Sequence, residues 1–214
     1  MGASSLNCAA IIAVKRRSRG KSHLADCLSA EQRVELIRAM LERVIEAAQG
    51  AATINRTLVV SPERDTLAAR IPLLIDGGEG LNQAFELARC ALRERGVRRM
   101  LALPADLPGV RSADLDALVC AAGDGVAIAA DRRGSGTNGL VCPVDLPLRF
   151  HFGLDSRRLH VEEARKLGIE PVIVSRPGLD FDVDLPADLV RLRRLHGTLS
   201  AALSCKPQAP FGPR

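Results

Sequence analysis

The chain has no tryptophan, no tyrosine and only five phenylalanines among its 214 residues. Stacking platforms for unpaired bases are therefore nearly missing, which argues against a protein that grips single-stranded nucleic acid. The core must be built from Ala, Leu, Val and Ile instead. No apolar run approaches the roughly 18 residues that a membrane-spanning helix requires. The order of a secretory leader is missing too, because the basic cluster from Lys15 to Lys21 follows the apolar run of residues 8–14 where a leader would place it before. Cysteines stand at 8, 27, 90, 120, 142 and 205 without a CxxC pair or a metal-finger spacing. They are expected to be reduced, mostly buried thiols in a cytoplasmic protein.

What is present describes a well-cored globule, with 47% hydrophobic and 26% charged residues. One domain over residues 1–197 is expected, followed by a flexible tail over 198–214 that is proline-rich and without periodicity. A net charge of +5 points to an anionic partner, and a field of that sign serves phosphorylated metabolites as well as nucleic acid.

Residues 9–14 (AAIIAV) read as a strand buried on both faces of a parallel sheet. The run leads into KRRSRGKS, five cations among the seven residues from Lys15 to Lys21. Such a loop after a first strand suits a polyphosphate, and a solvated basic loop looks the same. Ser29 and Gln32 fit a capping box, after which Val34, Leu36, Ile37, Met40, Leu41, Val44 and Ile45 keep a helical period. Strands follow at 56–60 and 71–75, the second running into DGGEGLN at 76–82. A three-glycine turn admits a flat ligand close to the backbone. Asn82, in the first turn of the next helix, is either a polar N-terminal residue or a reader of base or ribose.

The segment MLALPADLPGV, residues 100–110, joins a buried strand to a turn that holds Asp106 between Pro104 and Pro108. A carboxylate at the carboxyl end of such a strand lies where α/β sheets bind ligands, so Asp106 is the first candidate metal ligand, although Asp beside proline is also ordinary turn chemistry. A helix at 112–122 and a strand at 126–130 complete four strand–helix alternations, which predict a right-handed, doubly wound, mostly parallel sheet. The regular order then breaks. DRRGSGTNGLVCPV feeds a strand at 139–144, Phe152-Gly153 turns toward Ser156 and His160, and a helix at 159–167 precedes a strand at 171–174. DFDVDLP, residues 180–186, comes before a last helix at 187–196.

Taken together, IIAVKRRSRGKSHLA, DGGEGLNQA, LALPADLPGV, GSGTNGL, HFGLDS and DFDVDLPADL resemble, in order and spacing, the guanylyltransferases of deazaflavin-coenzyme (F-420) biosynthesis. The resemblance implies a compact, Rossmann-like (GT-A-like) nucleotidyltransferase domain. Its implied reaction joins GTP to phosphoenolpyruvate, 3-phospho-D-glycerate or 2-phospho-L-lactate, and a downstream deazaflavin-transferring enzyme takes the product. Carried over by position, Asp106 and Asp182 would hold Mg²⁺, with Asp184 the weaker candidate. Lys15, Lys21 and Ser22 would meet the GTP phosphates. Gly80 and Asn82 would face the guanine or its ribose, and Thr137, Gly153 and Ser156 would line the phospho-acid pocket. Lys21 joins the two acids as a catalytic group. His23 departs from the family, which usually carries Arg there, and exchanges a permanent cation for one mostly neutral at pH 7. Arg132, Arg133, Arg157 and Arg158 read as surface charges.

The implied reaction needs alignment and charge neutralisation more than proton transfer, because the attacking phosphate is already ionised. An Ala- and Arg-rich composition resembles a bacterial chain and lowers the phospholactate option, leaving the other two acids level. A molybdopterin-type nucleotidyltransferase is the neighbouring reading, with GTN and FGLDS against it. A glycosyltransferase using Asp182 and Asp184 would need them earlier in the chain. A non-catalytic nucleotide- or nucleic-acid-binding protein using the basic loop is the reading from another class.

Overall fold

A computed structural model of the chain describes residues 7–14, 21–63 and 71–195. Its order is β1 (Cys8–Ala13), α1 (Ala30–Gly50), β2 (Ile54–Ser61), β3 (Leu73–Ile75), α2 (Leu81–Glu94), β4 (Arg99–Pro104), α3 (Ser112–Ala122), β5 (Ala127–Ala130), β6 (Thr137–Pro143), α4 (Ser156–Lys166), β7 (Val172–Val174) and α5 (Pro186–Leu195). A single 3-10 turn covers Ser22–Leu24. Lys15 and the tail from residue 196 lie outside the described residues.

The strands form one sheet in the order β3-β2-β1-β4-β6-β5-β7. All pairings are parallel except those of β6, which runs antiparallel to both β4 and β5. β1 to β4 thus form the parallel half of the sheet, and β6, from the segment where the regular order breaks, supplies the reversal. The fold is an α/β domain with a mostly parallel sheet.

β1 shows how the layers arise. Successive side chains point to opposite faces, so Cys8, Ala10 and Ile12 enter one core beneath α1 and α3 while Ala9, Ile11 and Ala13 enter the other beneath α2. Every residue of β1 is buried, and each fully buried Ile or Leu contributes about 1.5 to 3 kcal/mol. The capping box at Ser29 is present, with Ser29 Oγ accepting from the Gln32 amide at 3.2 Å and Gln32 Oε1 accepting from the Ser29 amide at 2.9 Å.

Two boundaries shift toward the chemistry. β6 starts at Thr137, two residues earlier than its apolar run, and α4 starts at Ser156, three residues before the first periodic leucine. Both extensions are polar residues that hydrophobic periodicity does not register. The cysteine expectation needs correction as well: Cys8 and Cys142 are buried, but Cys27, Cys90 and Cys120 are exposed, the last two on the outer faces of α2 and α3.

Candidate active site

β4 delivers Asp106 to the carboxyl edge of the sheet. All six of its residues are buried, and Leu107 and Val110, both fully buried, anchor the turn beyond it. Asp106 is left at the rim between two apolar anchors.

Lys21 meets it there. Its ammonium lies 2.7 Å from Asp106 Oδ2 and 2.9 Å from Asp184 Oδ1. Burial opposes the charge on Lys21, but the carboxylates of Asp106 and Asp184 outweigh it and raise its pKa, so the ammonium is permanent. Lys21 has a φ of 55°, in the left-handed region that non-glycine residues occupy at a cost of about 1 to 2 kcal/mol. The three residues are separated by 85 and 163 positions in sequence, so the fold alone brings them together.

Asp182 and Asp184 come from the extended segment between β7 and α5. Phe181 and Val183 are buried in the core, and the two acids between and after them line a common cavity. Residues two apart in extended chain share a face, so Asp184 is as well placed as Asp182. Asp188 holds this arrangement: its Oδ2 accepts the amides of Asp184 at 3.1 Å and Leu185 at 2.8 Å, and its Oδ1 receives Arg132 at 3.3 Å.

The cavity has a volume of about 360 Å³, within the usual range for small-molecule sites. Asp106, Asp182 and Asp184 line one side of the sequence-derived set, and Thr137, Gly153 and Ser156 complete it. His23, Arg132 and Arg133 also line it, whereas Arg158 is engaged in an exposed pair with Glu162. Ser156 is buried where α4 opens. Gly153 has a φ of 137°, a conformation that favours glycine.

Gly80 and Asn82 stand elsewhere. Gly80, with a φ of 111°, borders a separate cavity of about 90 Å³ with Val14, Pro62, Asp76, Gly78, Leu81 and Ala84. Leu81 borders both cavities. Asn82 spends its amide on the backbone of Phe152, donating to the carbonyl at 3.2 Å and accepting the N–H at 2.6 Å. Bonded at both ends to one residue, Asn82 positions the Phe152-Gly153 turn, and it is not among the residues that line the larger cavity. Ser22 opens the 3-10 turn beside Lys21.

Sequence reading missed Asp131, His160 and Asp188. Asp131 Oδ1 accepts the amides of Ser135 at 2.9 Å and Gly136 at 2.8 Å and so shapes the loop entering β6. A Cβ at Gly136 would lie 2.9 Å from Asp131 Oδ2. Asp at the head of the Gly- and Ser-rich DRRGSG loop is ordinary turn chemistry and could have drawn attention to Asp131; nothing local marked a role for His160.

The donor chemistry suits a hard divalent cation. Burial first, then the charges of Asp106 and Asp184, push the pKa of Asp182 up to about 6, and a cation held beside it would favour the ionised form. Among the described residues no three acids, histidines or cysteines form a ready-made metal cluster. Cations at nucleotide sites commonly take one or two carboxylates and complete their shell with phosphate oxygens and water.

Residues 8–203 match the model of the family described as guanylyl transferase CofC like. A phosphoenolpyruvate guanylyltransferase of Rubrobacter xylanophilus is 39% identical over 194 residues, covering 88% of this chain and 94% of that protein. One from Sphaerobacter thermophilus is 35% identical over 188 residues, covering 86% and 91%. Among solved structures, a nucleotidyl transferase from Methanothermobacter superposes with a TM-score of 0.60 at 21% identity, covering 87% of this chain and 96% of the other, a likeness of fold. The chain therefore belongs to the CofC-like guanylyl transferase family and is a nucleotidyltransferase.

Proposed function

We propose that the protein transfers a guanylyl group from GTP to phosphoenolpyruvate or a closely related three-carbon phospho-acid, in F-420 biosynthesis. The observation that carries this reading is the convergence of Asp106, Asp182 and Asp184 on a cavity that Thr137, Gly153 and Ser156 also line, with Lys21 paired to two of the three acids. Both relatives described above are phosphoenolpyruvate guanylyltransferases, which favours phosphoenolpyruvate over 3-phospho-D-glycerate.

In this reading a phosphate oxygen of the acceptor attacks the α-phosphorus of GTP, the bond to the bridging oxygen breaks, and pyrophosphate leaves in line. No general base is needed. Asp106 and Asp182 would hold Mg²⁺, with Asp184 beside them. The ion would neutralise charge on the phosphates as pyrophosphate departs. Lys21 keeps the carboxylates from repelling a polyanion and offers a permanent cation near the leaving group. The hydroxyl of Thr137, the buried Ser156 and the opening turn of α4 form a pocket for the acceptor's anionic groups that buries no unpaired cation.

Pyrophosphate release is the deciding measurement, with GTP and each acid in turn, with and without Mg²⁺, and with the product identified by mass spectrometry. Metal-dependent release with phosphoenolpyruvate is expected. Folded protein that releases none with any acid would overturn the reading.

A further inference from the structure

His160 stands behind two residues that line the cavity, Thr137 and Phe152, and its hydrogen bonds define its protonation pattern. The imidazole is fully buried on α4. Its Nε2 lies 2.8 Å from the backbone nitrogen of His151, and its Nδ1 lies 3.0 Å from Thr137 Oγ1. An amide nitrogen donates and cannot accept, so Nε2 must carry the lone pair. The ring hydrogen is then on Nδ1 and is donated to Thr137. A hydroxyl that accepts this bond keeps its own hydrogen for another acceptor, and no other partner of Thr137 Oγ1 exists among the described residues. Thr137 lines the cavity.

We infer that His160 is a positioning residue that fixes the hydroxyl of Thr137 as a hydrogen-bond donor toward the acceptor's anionic group. Without that constraint the hydroxyl could donate to its neighbour and show a lone pair to an anion. The inference rests on the acceptor pocket proposed above. The groups facing the ring favour the neutral form. Burial, with His151 alongside and Glu163 opposing, holds the pKa of His160 down to about 4, and the ring of Phe152 packs edge-on at 5.0 Å.

A pair of variants reverses the polarity at nearly constant shape. In His160→Asn an amide nitrogen can stand near the position of Nδ1 and still donate. In His160→Asp the carboxylate accepts and turns the Thr137 hydrogen inward. Both lose the contact with His151, so the Asn variant controls for packing. At saturating GTP, KM for the acid is expected to be about tenfold higher in the Asp than in the Asn variant, as befits a charged hydrogen bond, with KM for GTP unmoved. In a Thr137→Val background the gap should shrink to about twofold or less. Equal KM values in the two variants, or a gap that survives Thr137→Val, overturns the inference. If neither variant folds, long-range nitrogen–proton NMR correlations of histidine-labelled wild-type protein read the tautomer directly: hydrogen on Nδ1 is expected, and hydrogen on Nε2 refutes the assignment. Wild-type protein inactive with every acid would refute the function instead.

Discussion

Lys21 carries more of the site than any other single side chain, since it answers two carboxylates at once. Its replacement by alanine removes a charge-assisted contact of about 1.5 to 3 kcal/mol, so kcat/KM for GTP should fall by roughly one to two decades. Steady-state kinetics on Lys21→Ala, beside Asp106→Asn, check this; retention of wild-type kcat/KM by Lys21→Ala would remove it from the proposed mechanism. The cysteines make a second test at this scale. Burial pushes the thiols of Cys8 and Cys142 up to about 12, and the thiolate is the reactive form. Alkylation followed by peptide mapping should label Cys27, Cys90 and Cys120 in the native protein and spare Cys8 and Cys142 until it unfolds. Asp106 could be read from its strand and flanking prolines because those cues are adjacent in sequence. The satisfaction of Asn82 by Phe152 could not, because the two are 70 positions apart and only the packed structure aligns them.

Among the elements, β6 is the one whose sequence is tied most tightly to its place. Gly139 packs so closely that an added Cβ would meet Leu118 Cδ2 at 2.8 Å, with Ala129 Cβ at 3.4 Å and Leu103 Cδ2 at 3.5 Å. Gly139→Ala overfills the seam between α3 and the sheet and should destabilise the protein by about 1 to 3 kcal/mol. Thermal melts would show this, and an unchanged Tm would mean that α3 moves aside freely. The helices and parallel strands were legible because burial on one stripe or on both faces writes a period into the chain. The direction of β6 was not, since an apolar run looks the same read either way. Only its pairing partners set the orientation.

For the molecule as a whole, His160 links acidity to stability. The native ring takes up a proton only near pH 4, against about 6.5 in the unfolded chain. Above pH 6.5 neither state is charged there and His160 adds no pH dependence. As pH falls through 6.5 the unfolded chain gains a proton that the native state refuses. Stability then declines by up to about 1.4 kcal/mol per pH unit, levelling off near pH 4. Asp182, whose native pKa of about 6 lies above its unfolded value, works in the opposite sense over part of this range. The His160 contribution is therefore read as the difference between wild type and His160→Asn in urea unfolding from pH 7 to 4.5, with the wild type losing more stability as pH falls. An equal slope in both would assign the loss to other groups.

The reversed strand has one more consequence. Its register pairs Ala102 with Leu140, so the beginning of β6 returns to the crevice that β4 has just reached. The start of β6 supplies Thr137, and the turn into α4 with the first residue of that helix supplies Gly153 and Ser156, while Lys21 and Asp106 come from earlier in the chain. In the proposed reaction, acceptor choice would thereby be packaged as a cassette of contiguous sequence, separable from the handling of the nucleotide. Transplanting residues 131–156 from a relative of different acceptor preference should carry that preference across with little change in KM for GTP, a result that product analysis of the chimera would reveal.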